Sequence, residues 1–387
     1  MLHRIFLFLL FLLVATDSYI YLRFVQKRCW SRWLKSLYWL PSVVLALGLV
    51  LLTLNDDFTP RSNQLVGIYL LVYMAITIPK GLFTIISLLA LLVRWCGKKV
   101  ERMVNWLALA VSLAVMYMVV YGSTAGWRHF TVKEVPFASN DLPREFDGYR
   151  VLQISDLHIG TIAGYPSVVR KLVRLVNDQH PDLIVFTGDL VNHVATELDS
   201  VQTILAGLQA PDGVYSVLGN HDYSLYYHWA TEEAQAANLE DLKQREAAMG
   251  WHLLNNAHVI LRRDSAAIAL IGVENDGEPP FPSKGDLPRA MQGTDGLFKI
   301  LLSHDPTHWR REVLPHSDVQ LTLAGHTHAM QFQLFGFTPA SWFYRENQGL
   351  YTEGERALYV NAGTGEVMLP FRFGAWPEIT LFTLHRN

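Results

Sequence analysis

The sequence predicts two fold classes in one chain: an all-α four-helix transmembrane domain, then an α/β domain. Three observations predict this. Four long apolar runs fill the first third. Short apolar runs alternate with helix-like segments in the rest. Charge and histidine content change where the two patterns meet. Only 17% of the 387 residues are charged and 50% are hydrophobic, against about 25% charged in ordinary soluble domains. Mean hydropathy is +0.16. A disordered chain and a single small soluble domain are excluded. Through Trp127 there are 12 Lys and Arg against 4 Asp and Glu, a net of +8; the remainder holds 20 against 31, a net of −11. Only His3 precedes Trp127, and the other 14 histidines follow it.

The expected transmembrane domain is 1–127, with helices over about 2–22, 37–54, 65–93 and 103–121, each long enough to cross a bilayer. Pro41 falls in the first turn of the second helix, where proline is tolerated. Pro79, Lys80 and Gly81 interrupt the third run, but neither flank could cross alone, so one long, kinked helix is expected. The first run could be read as a signal peptide, yet its n-region carries only Arg4 and no small-x-small cleavage site follows. A retained helix is expected.

Loop charge sets the orientation. The first loop holds Arg23, Lys27, Arg28, Arg32 and Lys35, and the third holds Arg94, Lys98, Lys99 and Arg102. The second holds Asp56, Asp57 and only Arg61. Basic loops stay in the cytoplasm, so a multi-pass inner (cell) membrane protein with its C-terminal domain on the extracytoplasmic side is expected. Both cysteines, Cys29 and Cys96, fall in the basic loops, which leaves the C-terminal domain without disulfide or thiolate chemistry. Asp17 and Lys80 are ionisable residues at membrane depth. The expectation is that Asp17 sits near the inner interface and that Lys80 snorkels or lines the bundle, too far away for direct pairing.

A connector carrying a first strand, FTVKEVPF, is expected over 128–148, and the α/β domain over 149–387. Its candidate strands are VLQIS (151–155), LIVFTG (183–188), VYSVLG (214–219), IALIGV (268–273), KILLS (299–303), QLTLAG (320–325), LYVNAG (358–363) and ITLFTL (379–384). Helical patterns lie near 165–179, 197–209 and 231–249. Apolar runs this short and continuous, alternating with helices, suit strands buried on both faces.

Five of those strands are followed by metal-ligand side chains: Asp156 and His158; Asp189; Asn220, His221 and Asp222; His304 and Asp305; His326 and His328. Carboxyl ends of strands are where open α/β sheets place their sites. Singly, each group could be a turn or a satisfied histidine. Jointly, they form a ligand set without thiolate, suited to Mn²⁺, Fe or Zn²⁺.

The series SDLHIG, FTGDLVN, LGNHDY, LSHDP and AGHTH resembles the calcineurin-like metallophosphoesterases, especially their membrane-anchored bacterial YkuE-like branch. The resemblance runs from about Gly148 to the C-terminus. It implies a four-layer α/β/β/α sandwich and a two-metal centre that hydrolyses phosphate esters, with Mn the most expected metal and Fe or Zn alternatives. It implies Asp156, His158 and His328 as ligands of one metal, Asn220, His304 and His326 as ligands of the other, and Asp189 as the bridge. His221 would give a proton to the leaving oxygen, worth about 10²–10⁴ in rate, with Asp222 fixing its tautomer. One departure is visible. Many relatives follow the last motif with two glycines, whereas this chain has Ala329 and Met330, which suggests a bulkier rim.

Arg372 could contact the substrate phosphate or be a surface arginine. Asn275 and Asp276 could border the pocket, although turn chemistry is the stronger expectation. Aromatic residues cluster after two motifs: Tyr223, Tyr226, Tyr227 and Trp229, then Phe332, Phe335, Phe337, Trp342, Phe343 and Tyr344. They point either to a greasy pocket and a membrane interface or to core packing. With the membrane domain, they suggest a lipid-linked phosphate (phospholipid, lipid A or polyprenyl type) as substrate. A tethered phosphodiesterase for soluble substrates and a non-catalytic phospho-ligand sensor are the alternatives. An acidic second half without a basic stripe argues against nucleic acid.

Overall fold

A computed structural model describes residues 2–53, 60–367 and 369–387. The chain forms two compact units, Met1–Thr124 and Ala125–Asn387. The first contains α1 (Leu2–Ile20), α2 (Arg32–Leu37), α3 (Leu40–Thr53), α4 (Pro60–Leu92) and α5 (Lys98–Thr124). Four helical segments are long and apolar enough to cross a membrane: Phe6–Val25, Arg32–Leu52, Leu65–Leu92 and Lys98–Arg128. The expected end of the second helix at Leu54, and the loop residues Asp56 and Asp57, lie outside the described residues. α4 is continuous through Pro79.

The expectation that Asp17 and Lys80 are too far apart to pair is overturned. Lys80 Nζ lies 2.7 Å from Asp17 Oδ1. Tyr38 donates to the same oxygen at 3.1 Å, and Ser42 donates to Oδ2. A π-helical turn over Tyr21–Val25 prolongs the first helix at its C-terminal end. Asp17 is thus 8 residues from that end and Lys80 is 12 from the end of α4, about 12 and 18 Å of helical rise. The lysine stem spans the difference. Arg23 contacts Glu101 at 2.6 Å, which places the first and third loops at one end of the bundle.

The second unit is built from two six-stranded sheets. Its strands are β1 (Thr131–Ser139), β2 (Arg150–Ile154), β3 (Leu183–Phe186), β4 (Val214–Ser216), β5 (Trp251–Leu253), β6 (Ala257–Arg263), β7 (Ala266–Gly272), β8 (Phe298–Leu302), β9 (Leu321–Ala324), β10 (Gly349–Glu353), β11 (Arg356–Val360) and β12 (Glu378–Arg386). One sheet has the order β1-β12-β2-β3-β4-β5 and the other β10-β11-β9-β8-β7-β6. The helices are α6 (Ile159–Ile162), α7 (Pro166–Asn177), α8 (Gln202–Leu205), α9 (Glu232–Ala248), α10 (Leu287–Ala290) and α11 (Leu314–His316).

Strand alternation builds the layers. Along β3, Ile184 and Phe186 join a core with the helices while Leu183 and Val185 face the second sheet. Along β8, Ile300 and Leu302 face the first sheet while Leu301 packs outward with Trp309 and Val313. Three apolar layers therefore separate four structural layers, as the sequence predicts. α7 supplies Val168, Val169, Leu172, Val173 and Val176 from one face, the spacing of an amphipathic helix.

The segment 128–148, set apart in the sequence as a connector, belongs to the second unit. β1 pairs in parallel with β12, and Phe137, Leu142 and Phe146 are buried between the sheets. The expected helix over 197–209 shrinks to a 3-10 turn over Ala195–Leu198 and the four-residue α8. Three strands had no counterpart in the sequence reading: β5, β6 and β10.

Candidate functional site

The sheets deliver their polar residues just beyond the strand ends. Asp156 and His158 follow β2, Asp189 follows β3, Asn220 and His221 follow β4, His304 follows β8, and His326 and His328 follow β9. The turns are tight. Asp156, His158, Asp189, His326 and His328 have φ of 50°, 42°, 60°, 73° and 51°. Left-handed backbone is costly outside glycine and concentrates at functional sites. Here it reverses the chain within one residue, so that side chains i and i+2 aim into one cleft. Gly325 allows this approach: any Cβ there would collide with Ser155 Oγ and Asp156 Oδ2.

The convergence is close. His158 Nε2 and His328 Nε2 face each other at 3.0 Å, and His328 Nε2 lies 3.2 Å from Asp156 Oδ1. Asp189 Oδ2 is 3.4 Å from His158 Nε2 and 3.3 Å from His304 Nε2. His326 Nδ1 is 2.8 Å from Asn220 Oδ1. Three overlapping groups could hold a cation: Asp156, His158 and His328; His158, Asp189 and His221; Asp189, His304 and His326. Within each, the ligand atoms lie within 4.8 Å of one another.

Electrostatics favour ligation at three of the four histidines, and at His304 a cation would have to displace a proton. Burial lowers His158 to about 3 and also lowers His326 and His328, so these rings present lone pairs at neutral pH. Burial alone would raise Asp156 and Asp189, but neighbouring histidines hold both well below the usual carboxylate range. Burial alone would lower His304, yet Asp189 raises it to about 10. His304 Nδ1 is committed to the Thr187 carbonyl at 2.7 Å, while its buried Nε2 has no hydrogen-bond partner. Confronted ring nitrogens and an orphaned buried nitrogen beside two carboxylates fit two divalent cations.

The neighbouring shell corrects two expectations. Asp222 does not touch the His221 ring. Its carboxylate accepts from the backbone N–H groups of Asp189, Leu190, Val191 and Gly219 at 2.8–3.2 Å. It ties the β3 and β4 loops together. His221 is oriented by the Asn192 carbonyl, 2.9 Å from Nδ1, and by a tilted contact with the Tyr226 ring at 4.4 Å. Arg372, expected at the substrate or on the surface, is fully buried. Its donors go to the carbonyls of Ala362, Gly365 and Ala375 and to His328 Nδ1 at 3.0 Å. Asn275 and Asp276 hold a turn, bonding Pro282 O and Ser283.

Other parts of the shell were missed because backbone carbonyls carry no sequence signal: Thr187 O behind His304 and Asn192 O behind His221. Tyr344, seen in the sequence only as one aromatic among several, has its hydroxyl 2.9 Å from His326 Nε2. Asp305 Oδ2 lies 3.6 Å from the same nitrogen.

Comparison with known proteins agrees with this architecture. Residues 3–127 match the family model "Probable Calcineurin-like phosphoesterase, transmembrane domain", and residues 149–330 match the "Calcineurin-like phosphoesterase" model. The chain is 33% identical over 256 residues to the uncharacterized metallophosphoesterase YkuE of Bacillus subtilis, covering 64% of this chain and 82% of YkuE. It is 31% identical over 278 residues to the transmembrane protein with metallophosphoesterase domain of Danio rerio. That match covers 69% of this chain and 60% of the fish protein, so the chain spans about three fifths of the longer relative. It is also 27% identical over 287 residues to the UDP-2,3-diacylglucosamine pyrophosphatase LpxG of Chlamydia trachomatis, covering 62% of this chain and 86% of LpxG. With these matches, the four apolar helices and the convergent cleft, the chain belongs to the calcineurin-like metallophosphoesterase family and is a membrane-anchored phosphate-ester hydrolase.

Proposed function

We propose that the enzyme hydrolyses a lipid-linked phosphate with two divalent cations, manganese most favourably. Asp156, His158 and His328 would hold one cation, Asn220, His304 and His326 the other, and Asp189 would be the ligand they share. The carrying observation is that Asp189 Oδ2 stands almost equally far from His158 and His304, at 3.4 and 3.3 Å. When bound, such a pair offsets phosphate charge and makes water a competent nucleophile near neutral pH.

The chain's own residues supply the rest. Asn192 O engages His221 Nδ1, which assigns the proton there and leaves Nε2 toward the cleft. With both ring nitrogens protonated, His221 would give its Nε2 proton to the leaving oxygen and return to the neutral Nδ1–H tautomer that Asn192 O holds. Asp222 holds the two loops at fixed spacing, which keeps Asp189 and His221 in register. Arg372 braces His328 from behind.

The lipid-linked reading is supported by LpxG, whose name gives a diacylated substrate, and by aromatic residues beside the cleft. The extracytoplasmic placement is supported by the basic first and third loops at one end of the bundle. The test uses the purified full chain with Mn²⁺ in detergent. Phosphate release from phospholipid, lipid A or polyprenyl esters is expected. Turnover of a soluble bis-aryl phosphodiester without any lipid turnover overturns the lipid reading and favours the soluble-substrate alternative. A reporter fused after Asn387 that is active only in the cytoplasm overturns the orientation.

A further inference from the structure

The loop after the last histidine pair exposes large apolar side chains that the site does not use. Phe335 is 99% exposed, Trp342 72% and Phe343 70%. The loop is held in one shape. Phe335 and Gly336, with φ of 51° and 82°, make a tight turn closed by the Leu334–Phe337 bridge. Thr338 Oγ1 donates to Ala329 O, Gln333 N donates to Phe373 O at 2.8 Å, and Phe337 packs on Trp342 at 5.4 Å. A 3-10 turn over Pro339–Trp342 completes it. Well-ordered loops that hold aromatic rings in water mark interaction surfaces.

We propose that Phe335, Trp342 and Phe343 form a promontory that seats in the interfacial layer of the bilayer carrying the chain's own anchor. Aromatic side chains concentrate at this depth because their apolar bodies and polar edges match it. Six residues separate α5 from β1, so the tether reaches at most about 25 Å. A surface of the second unit is therefore always within reach of lipid. Arg345 follows the promontory with a 73% exposed side chain; its Nε lies 3.5 Å from Glu346, which Arg310 also neutralises at 2.6 Å, so the guanidinium can also meet anionic headgroups. The next residue inward, Tyr344, contacts His326. Seating the promontory thus fixes the distance between the cleft and the lipid surface. This docking deepens the lipid-substrate reading but rests on the anchor and the exposed rings, not on which ester is cleaved.

The test reads depth without substrate. The full chain, with Cys29→Ser and Cys96→Ser, is placed in phosphatidylcholine–phosphatidylglycerol nanodiscs. A fluorophore at Phe335→Cys or Phe343→Cys is quenched by doxyl-labelled lipid, and Gln244→Cys on α9 is the control. Several-fold stronger quenching at 335 and 343 than at 244 is expected. Adding Trp342→Asp should abolish it at both. Equal, weak quenching at all three positions overturns the proposal. So does a label at 335 that lipid leaves unquenched but that becomes shielded from iodide as protein concentration rises, since a second copy then covers the loop. If quenching is selective but no lipid phosphate is cleaved, the docking stands and the substrate reading fails.

Discussion

The two units both bury charge, and they treat it in opposite ways. In the membrane unit, the Asp17 carboxylate is met by Lys80, Tyr38 and Ser42. It is a closed set, with one acid, one base and hydroxyls for the remaining lone pairs. In the second unit, ring nitrogens face each other at 3.0 Å and His304 Nε2 has no hydrogen-bond partner. Satisfied buried charge shapes a fold, whereas confronted donor atoms state a need for something further. Removing a cleft residue should therefore remove function, and removing a membrane residue should remove stability.

The largest effect is expected at Asp189, the carboxylate common to two of the candidate cation groups. Asp189→Ala should lower turnover of a soluble phosphodiester by more than about 10³-fold, because both proposed cations would lose a ligand and charge neutralisation would fail. Bound metal, measured by mass spectrometry on dialysed protein, should fall with it. Full metal content with lost activity would move Asp189 from ligation to substrate chemistry. His221→Ala should keep its metal and lose about 10²–10⁴ in turnover, most with poor leaving groups. Loss of metal in that variant would make His221 a ligand, which its grouping with His158 and Asp189 permits geometrically.

On the membrane side, Lys80→Met should destabilise the full chain by about 3–5 kcal/mol, since it strands a buried carboxylate. Thermal unfolding in detergent measures this. The double change Asp17→Asn with Lys80→Met should recover most of the loss. A single variant as stable as the double would show that the pair does not hold the bundle. Turnover of a soluble substrate should stay unchanged in both, which separates the two units by function.

Much of the cleft was legible because the side chains that converge there are of metal-binding types and lie directly after apolar strands. The layers were legible for a similar reason, since strands such as LIVF are buried on both faces. What failed depended on distance rather than identity. Asp17 and Lys80 are 63 positions apart, and only the π-turn after Ile20 and the lysine stem bring them level. Asp222 looked like the partner of His221 through the family resemblance of the LGNHDY motif. Adjacent residues in a tight loop point apart, and its carboxylate turns to four backbone N–H groups instead. β5, β6 and β10 escaped notice because edge and near-edge strands are short or carry polar residues, as in AHVILRR and GLYTE.

A smaller effect should appear in the pH dependence of stability. Glu246 on α9 is fully buried with Ser216 as its hydrogen-bond donor. Burial raises its carboxyl to about 8 from 4.5. The folded state then binds a proton that the unfolded state releases between those values. Its stabilising contribution is complete below about pH 4.5 and is lost as pH rises through 8. Glu246→Gln should flatten the fall in unfolding temperature over that window. An unchanged slope would assign the pH dependence to other groups.

The smallest effect concerns the strained backbone beside the cleft. Ala329, Met330 and Gln331 continue the left-handed run begun by His328, with φ of 48°, 48° and 59°. Left-handed backbone costs a side-chain-bearing residue about 1–2 kcal/mol, and glycine escapes that cost while losing about 0.5–1 kcal/mol through unfolded-state entropy. Met330→Gly should therefore stabilise by roughly 0.5–1 kcal/mol, read as a rise in unfolding temperature. Ala329 is a poorer probe, since it is fully buried and glycine would also remove a packed methyl. Met330 is 42% exposed, so little packing is lost there. If Met330→Gly gains stability but loses lipid turnover, the strain is retained for the side chain it places at the rim. If it gains stability and keeps turnover, the methionine is a tolerated departure and the rim's character rests on its aromatics.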